Sequence, residues 1–483
     1  METHETYNKK FDLLVKKHKN LCPLLWFHTS NQTANEKRFC CVSKPIHKKM
    51  NGEKYDENKK LSMTDHWNSA EHHHARKQNL KNSKEAHIPE CWTCWKQEEN
   101  NVSSYRDEAI KGFPYENITT KKVIIENITK TINGDIEEFH NPTSFDIKFG
   151  NLCNLKCPTC SPHSSSQLHK EVIQNNMYMG NTEDAEVFRS FYRGWNQSDA
   201  DWTEDKTWWE DFNSITSHVR IYKSTGGEPI LNQYLIEHLK KLIENKKSED
   251  ILLRLVTNGQ TLTKDFIDNI LRNFKEVALS VSLDGVGKQY EYIRYPGKWK
   301  VATGNAKKVV HDNPNDIKAK LTRIYYRIHP TLSILNILSM GELFKWSLEM
   351  NKKQNPFNRT NYNGDGANKT FGNENYLIVN PGFVFFPQHL SIIHLLTEDM
   401  KEQVIQYWLT LKSTIPNWKG TDAAKQRYIE HCDDIILRVK ASKANKDTAR
   451  RFVKYINGID NIRKTSFKDS CPDEYKLTRE YFE

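Results

Sequence analysis

Residues 144–160 read SFDIKFGNLCNLKCPTC, a short apolar stretch followed at once by three closely spaced cysteines. The apolar stretch has the length and composition of a buried strand, so Cys153, Cys157 and Cys160 fall in the loop at its carboxyl end. Thiolates are preferred ligands of iron–sulfur clusters, and (β/α) barrels build their active sites from loops at this end of the strands. Three such cysteines can hold three irons of a [4Fe–4S] cluster and leave the fourth iron open for a ligand.

The sequence after this loop predicts a parallel sheet. Short apolar runs alternate with amphipathic segments, which indicates strands near 144–149, 218–224, 250–257, 276–283, 319–328 and 376–380, with a further extended stretch at 383–386. Helices are predicted between strands, at 233–245, 263–274 and 332–350. The predicted fold class is therefore α/β, in the form of a partial (β/α)6 TIM-like barrel.

Length and composition set the broad class of protein. The chain has 483 residues, 37% hydrophobic and 27% charged, which fits about three globular units and excludes a small disulfide-stabilised scaffold. We divide it into an N-terminal part rich in cysteine (1–120), the barrel (140–395) and a helical C-terminal extension (396–483). No apolar run of about 18 residues and no signal-peptide pattern occurs, so we expect no membrane contact and a cytoplasmic location.

The first crossover, residues 161–217, is far longer than one helix requires. Its tryptophans stand among acidic residues, and we expect the segment to form a lid or a substrate platform near the barrel mouth. The tryptophans are Trp195, Trp202, Trp208 and Trp209.

Further motifs lie at the ends of the predicted strands. They are Gly226-Gly227-Glu228-Pro229 after the second strand, Asn258-Gly259 after the third, Ser282-Leu283-Asp284-Gly285 after the fourth, and Tyr292-Ile293-Arg294 on the helix that follows. Together with the CxxxCxxC run, and in this order, they resemble the radical S-adenosylmethionine (radical SAM) superfamily over roughly residues 143–390. Asn-Gly and Asp-Gly are also ordinary turn formers, so Asn258 and Asp284 have a purely structural alternative.

The resemblance implies how each matching residue would act. In that family the open iron chelates SAM, and one electron cleaves SAM into methionine and a 5′-deoxyadenosyl radical that abstracts a hydrogen from the substrate. The residues implied to receive the methionyl end of SAM are Gly226, Gly227, Glu228 and Pro229. Those implied to bind its ribose or carboxylate are Asn258, Ser282, Asp284 and Arg294. Thr159 departs from the family, whose residue at that position is often aromatic or hydrophobic, and no adenine-binding residue is identified.

A second set of cysteines lies upstream of the barrel. Eight of the ten cysteines fall in the first third of the chain, which favours metal binding over disulfides in a reducing compartment. The set Cys22, Cys40, Cys91 and Cys94 resembles the ligands of auxiliary iron–sulfur domains called SPASM or twitch. The flanking sequences resemble phage-type twitch radical SAM proteins, in which this domain precedes the barrel.

The alignment with these auxiliary domains leaves two points open. Asn35 stands where the family has glycine, and asparagine tolerates the left-handed conformation better than most residues. The alignment makes Cys40 the ligand, although Cys41 is its neighbour and the sequence alone does not exclude it. Four cysteines also make a tetrahedral zinc site, which is the competing interpretation.

The sequence thus predicts a radical SAM enzyme whose cofactors are a [4Fe–4S] cluster, SAM and an auxiliary iron–sulfur cluster. The resemblance further implies a flavodoxin- or ferredoxin-like electron donor, a host cytoplasm if the gene is phage-borne, and a peptide or protein substrate. The net charge of +10 supports the alternative of a nucleotide or RNA substrate. Residues 181–212, however, carry 3 basic and 9 acidic side chains, which would repel phosphate at the mouth. A zinc scaffold that binds nucleic acid is a third reading, but it leaves the ordered motifs unexplained.

Overall fold

Eight strands form the main sheet. The computed structural model describes residues 3–46, 61–99, 103–113, 117–135, 139–175, 202–310, 323–352, 378–419 and 422–483. The strands are β1 (His28–Asn31), β2 (Lys37–Arg38), β3 (Ser144–Lys148), β4 (Ile221–Thr225), β5 (Leu252–Thr257), β6 (Glu276–Val281), β7 (Arg323–Ile328), β8 (Thr331–Leu332), β9 (Ile378–Val379) and β10 (Gly382–Phe383). The order across the sheet is β2-β1-β3-β4-β5-β6-β7-β9, and only β2 is antiparallel to its neighbour. Strands β8 and β10 form a separate parallel pair.

The sheet begins earlier in the chain than the sequence predicts. Strand β1 runs parallel to β3 and pairs His28 with Ser144, so the N-terminal part contributes directly to the main sheet. Its sequence is HTSN, which contains no apolar run, and hydrophobic periodicity therefore misses it. The predicted α/β class with a mostly parallel sheet is confirmed, and the six predicted strands correspond to β3–β7 and β9.

The two faces of the sheet differ in polarity. Phe145, Tyr222 and Leu255 lie on the face that is buried in the main hydrophobic core. The alternate residues Asp146 and Lys223 lie on the other face, where Lys223 Nζ is 2.7 Å from Asp146 Oδ2. This alternation is the one expected of a strand with one face on a core. The polar face and the carboxyl ends of the strands are therefore the parts of the sheet available for a site.

Helices surround the sheet. They are α1 (His4–Lys17), α2 (Met63–Trp67), α3 (Ala70–Asn79), α4 (Trp92–Glu99), α5 (Tyr105–Lys111), α6 (Ile118–Asn133), α7 (Ser166–Gln174), α8 (Lys206–Ile215), α9 (Gln233–Glu244), α10 (Lys264–Asn269), α11 (Gly287–Ile293), α12 (Trp299–Val310), α13 (Met340–Lys352), α14 (Glu398–Thr414), α15 (Asp422–Ala441), α16 (Lys446–Arg463), α17 (Phe467–Ser470) and α18 (Pro472–Leu477). Each helix in the described part of the chain is too short or too polar to span a membrane.

The C-terminal helices share the core of the sheet. Trp408, Tyr428 and Phe452 are fully buried and belong to the same hydrophobic cluster as the strands. The indole N–H of Trp408 donates to the carbonyl oxygen of Ile337 at 3.1 Å. The described segment beyond residue 396 is thus helical and shares one hydrophobic core with the strands.

The helix predicted at 332–350 begins later than expected, at Met340. The side-chain amide of Asn336 donates to the carbonyl oxygens of Asp284 and Thr331 at 2.9 and 3.0 Å. The side-chain oxygen of Asn336 accepts a hydrogen bond from the backbone N–H of Ser333 at 2.8 Å. These bonds satisfy the backbone in a turn, which is how asparagine competes with helix formation.

The predicted lid or platform is wrong for the tryptophans that the structure describes. Trp202 and Trp208 are buried, and Trp209 stacks on Phe149 with ring centroids 5.3 Å apart. These rings fill the core behind β3 because large aromatic surfaces gain most from burial. Trp195 lies outside the described residues.

Glu474 makes the stability of the fold dependent on pH. It is 1% exposed and accepts hydrogen bonds from Ser339 Oγ and Leu338 N, and burial raises its pKa to about 7. The unfolded chain loses this proton near pH 4.5, so stability should fall by up to about 3 kcal/mol as the pH rises from 4.5 to 7. Denaturant unfolding of Glu474→Gln should show a flatter profile over that range. Asp469→Asn, at an exposed residue of α17, should keep the wild-type slope, and equal slopes in both variants would contradict the prediction.

Candidate active site at the carboxyl end of the sheet

The cysteine loop follows β3 directly and is largely buried. Cys153 and Cys157 are buried together with Leu155, and Cys160 packs against them. Burial raises the pKa of Cys153, and the neighbouring thiols of Cys157 and Cys160 raise it further. Burial likewise raises the pKa of Cys160 to about 12, with a further contribution from Cys157. Three sulfur atoms that feel one another's charge form a donor set suited to an iron–sulfur cluster.

Polar residues within and after the loop fix its shape. The Ser165 hydroxyl donates to the carbonyl oxygen of Leu155 at 2.5 Å and also caps α7. The N–H of Cys153 donates to Ser166 Oγ at 3.3 Å. Neither serine could be singled out from the sequence, because Ser-rich loops are common.

The Gly-Gly turn packs directly on the cysteine loop. Gly226 and Gly227 have φ of +81° and +49°, a region that favours glycine. A Cβ atom at Gly227 would lie 2.4 Å from the carbonyl oxygen of Leu152. The N–H of Glu228 donates to that same oxygen at 2.7 Å. The two loops therefore meet backbone to backbone, and only glycine allows this approach.

Glu228 lies between the Gly-Gly turn and the end of β5. Its carboxylate accepts from Thr257 Oγ1 at 2.6 Å and from the N–H of Asn258 at 2.7 Å. Burial raises its pKa to about 7, although both hydrogen bonds act in the opposite direction. Pro229 begins a short 3-10 turn immediately after it. The carboxyl group thus joins two strand ends in addition to any role toward SAM.

Asn258 and Ser282 differ in their surroundings. The side-chain N–H of Asn258 donates to Asn154 Oδ1 at 2.8 Å, which ties β5 to the cysteine loop. Asn258 therefore helps to position the loop, and its predicted contact with SAM stays a prediction. Ser282 is partly exposed, and its N–H donates to the carbonyl oxygen of Thr257 at 2.9 Å.

Asp284 and Arg294 form a buried ion pair, and the predicted contacts of both residues with SAM stay predictions. Arg294 Nε is 2.6 Å from Asp284 Oδ2, and the N–H of Thr331 donates to Asp284 Oδ1 at 2.7 Å. Arg294 Nη1 is also 3.9 Å from Cys157 Sγ. Burial lowers the pKa of Arg294, but Asp284 and Cys157 more than offset this and hold it above its usual value. The guanidinium therefore carries its charge beside the cysteine loop.

The upstream cysteines also lie near one another. Burial raises the pKa of Cys91, and the thiols of Cys40, Cys22 and Cys94 raise it further. Burial also raises the pKa of Cys41, but the next largest influences on it are Asp146 and Lys223 on the polar face of the sheet. Cys40 is thus the neighbour of the other three, whereas Cys41 faces the barrel. Within the described ranges, no three Cys, His, Asp or Glu side chains stand close enough to share a single metal ion.

Asn35 has the left-handed conformation that its position in the sequence predicts, with φ of +58°. Its side-chain oxygen accepts hydrogen bonds from Asn31 Nδ2 at 3.1 Å and from Lys37 Nζ at 2.5 Å. These contacts stabilise the turn between β1 and β2, which leads to Cys40.

Comparison with known proteins identifies one family. Residues 147–311 match the model of the Radical SAM superfamily, so this part of the chain contains a radical SAM domain. No curated protein sequence matches the chain.

Solved structures with similarity to the chain include three of SuiB from Streptococcus suis. The crystal structure of SuiB has 12% identity and a TM-score of 0.32, and the alignment covers 77% of this chain and 64% of that one. SuiB bound to S-adenosylmethionine has 13% identity and a TM-score of 0.32, with the same coverage. SuiB bound to the precursor peptide SuiA has 16% identity and a TM-score of 0.28, with coverage of 58% and 54%. The chain therefore spans less than two thirds of the length of the SuiB structures.

Proposed function

We propose that this chain, whose residues 147–311 match the Radical SAM superfamily, is an enzyme that cleaves SAM reductively on a partial (β/α)6 barrel. The observation that carries the proposal is the contact of the CxxxCxxC loop with the Gly-Gly-Glu-Pro turn through Gly227. A [4Fe–4S] cluster held by Cys153, Cys157 and Cys160 would supply one electron to SAM, and the resulting 5′-deoxyadenosyl radical would abstract hydrogen from the substrate.

The chain's own residues would bind and orient SAM. Gly226 and Gly227 let the backbone approach the methionyl end closely, and Glu228 offers a carboxylate for its ammonium group. Ser282, being partly exposed at the end of β6, remains a candidate for the ribose or carboxylate of SAM. Arg294, oriented by Asp284, would favour the thiolate form of Cys157 and present positive charge to the SAM carboxylate.

Wild-type protein tests the reaction class. After anaerobic reconstitution with iron and sulfide, it should form 5′-deoxyadenosine from SAM in the presence of dithionite. The product is measured by mass spectrometry against a sample without dithionite. Tightly bound zinc, no iron uptake and no 5′-deoxyadenosine would instead favour the zinc scaffold.

The upstream cysteines would hold an auxiliary iron–sulfur cluster of the twitch or SPASM type. Cys22, Cys40, Cys91 and Cys94 fit this group because their thiols are close enough to raise one another's pKa. Their donor chemistry is also compatible with zinc, so metal content is the deciding measurement.

The adjacent residues Cys40 and Cys41 provide a test variant and its matched control for this site. Cys40→Ser should lose about half of the iron, because an auxiliary [4Fe–4S] cluster would contribute about four of about eight irons. Cys41→Ser should keep the wild-type iron content, since its side chain faces Asp146 rather than the other cysteines. Iron and acid-labile sulfide would be assayed in both variants. Greater loss in Cys41→Ser would reverse the ligand assignment.

A peptide or protein is the proposed substrate, with electrons from a flavodoxin- or ferredoxin-like donor. The resemblance of the N-terminal part to auxiliary-cluster proteins, which commonly modify peptides, supports this choice. The acidic crossover gives weaker support than its sequence indicates. Asp205 caps α8 and Asp211 accepts from the N–H of Met63 at 2.7 Å, while residues 176–201 lie outside the described chain.

The alternative substrate is a nucleotide or RNA, which the net charge of +10 favours. Incubation with deuterated peptide pools and, separately, with deuterated RNA would distinguish the two. Deuterium should appear in 5′-deoxyadenosine only with peptides. Transfer only from RNA would overturn the ranking.

A further inference from the structure

The C-terminal helix α16 contacts the cysteine loop directly. The hydroxyl of Tyr455, a residue in the middle of this helix, donates to the carbonyl oxygen of Pro158 at 3.0 Å. Pro158 lies between Cys157 and Cys160, and Tyr455 is 1% exposed. A buried hydroxyl that meets a buried carbonyl satisfies both groups, and removal of either partner leaves the other unpaired.

A second contact is made by Arg463, the last residue of the same helix. Arg463 Nη2 and Nε lie 2.7 and 3.1 Å from Glu171 Oε1, and both side chains are at most 3% exposed. Glu171 Oε2 is also 3.1 Å from Lys156 Nζ. Lys156 belongs to the cysteine loop, and its N–H donates to the carbonyl oxygen of Tyr295 at 2.7 Å. The linked ion pairs of Arg463 with Glu171 and of Glu171 with Lys156 thus join α16 to the loop between Cys153 and Cys157.

The charge of Arg463 lies beside the cysteine loop. Arg463, Glu171 and Lys156 together carry two positive charges and one negative charge, and Lys156 directly precedes Cys157 in the sequence. A positive charge close to a cluster favours an added electron on that cluster, because the electron increases the negative charge there. Arg463 therefore provides an electrostatic influence in addition to a mechanical contact.

We propose that α16 belongs to the cluster site. Tyr455 and Arg463 position the CxxxCxxC loop, and Arg463 also raises the reduction potential of the cluster. This proposal rests on the proposed function. It assigns to the C-terminal segment a role in electron uptake.

Three variants test the two contributions separately. Arg463→Gln removes the charge and one partner of a buried pair, Arg463→Lys keeps the charge but not the bidentate geometry, and Tyr455→Phe removes one hydroxyl. Arg450→Gln is the matched control, because Arg450 lies on the same helix, is exposed and pairs only with Asp447 among the contacts of its side chain in the described chain. Folding of each variant is checked by circular dichroism.

Two measurements on reconstituted protein give the result. The first is the rate at which a chelator removes iron, and the second is the midpoint potential of the electron paramagnetic resonance signal that changes when SAM is added. Arg463→Gln should lose iron several-fold faster than wild-type protein. It should also lower the equilibrium constant for one-electron reduction of the cluster about tenfold, which lowers the midpoint potential by about 59 mV. Arg463→Lys and Tyr455→Phe should also lose iron faster than wild-type protein, but their midpoint potentials should stay near the wild-type value. Arg450→Gln should change neither.

The outcomes separate this inference from the proposed function. Failure of wild-type protein to take up iron contradicts the proposed function itself. Normal loading of wild-type protein, with chelation rates and potentials in the Arg463 and Tyr455 variants equal to those of Arg450→Gln, overturns the role of α16. Should Arg463→Gln not fold, the chelation rates of Arg463→Lys and Tyr455→Phe decide alone, and control-like rates in both overturn the proposal.

Discussion

Replacing Cys153, Cys157 and Cys160 together by alanine is expected to abolish formation of 5′-deoxyadenosine and to lower the iron content from about eight to about four per chain. The three thiols are the proposed protein ligands of the catalytic cluster, and no other cysteine belongs to their buried group in the described chain. Of the upstream cysteines, Cys22, Cys40 and Cys91 belong to a different hydrophobic cluster, and the upstream set should keep its own iron. Iron, sulfide and 5′-deoxyadenosine are measured on the same preparation.

Two buried cysteines elsewhere provide the control for this variant. Cys432 and Cys471 are fully buried in the main core, and no other cysteine is among the groups that influence their pKa. The double variant Cys432→Ala, Cys471→Ala should retain all the iron and activity, although it creates small cavities. Activity in the triple variant would refute the catalytic assignment, and complete loss of iron would mean that the upstream cysteines hold no independent cluster.

Gly227→Ala is expected to have the second largest effect. The new Cβ would meet the carbonyl oxygen of Leu152 at 2.4 Å and the carbonyl carbon of Asn151 at 3.0 Å, both of which are backbone atoms that cannot rotate away. Left-handed strain and overpacking together should cost about 2–4 kcal/mol of stability. Separation of the two loops by about 1 Å should reduce 5′-deoxyadenosine formation by on the order of 100-fold.

Gly134→Ala isolates the cost of the left-handed backbone. Gly134 ends α6 with φ of +81°, and a Cβ there would meet nothing within 4 Å. Its substitution should cost about 1–2 kcal/mol and leave activity unchanged. Thermal unfolding and the 5′-deoxyadenosine assay are run on both variants. Equal effects of the two substitutions would show that the close approach of the loops at Gly227 is unimportant.

The sequence predicts the parts of the fold that depend on local pattern. Apolar runs identify β3–β7, and the cysteine spacing identifies the loop after β3, because both signals lie within a few residues. Asn35 is predictable for the same reason, since a left-handed turn residue is a local property.

Contacts between separate motifs are what the sequence could not provide. The ion pair of Asp284 and Arg294 is hidden because a turn and α11 bring the two residues together, and each matches a different motif when taken alone. The contact of Tyr455 with Pro158 joins residues 297 positions apart. A polar helix gives no local indication of which distant carbonyl its tyrosine will reach.

The distance in sequence between Pro158 and Tyr455 has a consequence for biosynthesis. At about 5–20 residues per second, the ribosome adds Tyr455 roughly 15–60 s after Pro158, so the nascent cysteine loop exists for that time without α16. Thiols in an incompletely packed loop are accessible to oxidants and to competing metals. We therefore expect durable cluster insertion to follow completion of translation, and iron delivered to the nascent chain to remain exchangeable until α16 docks.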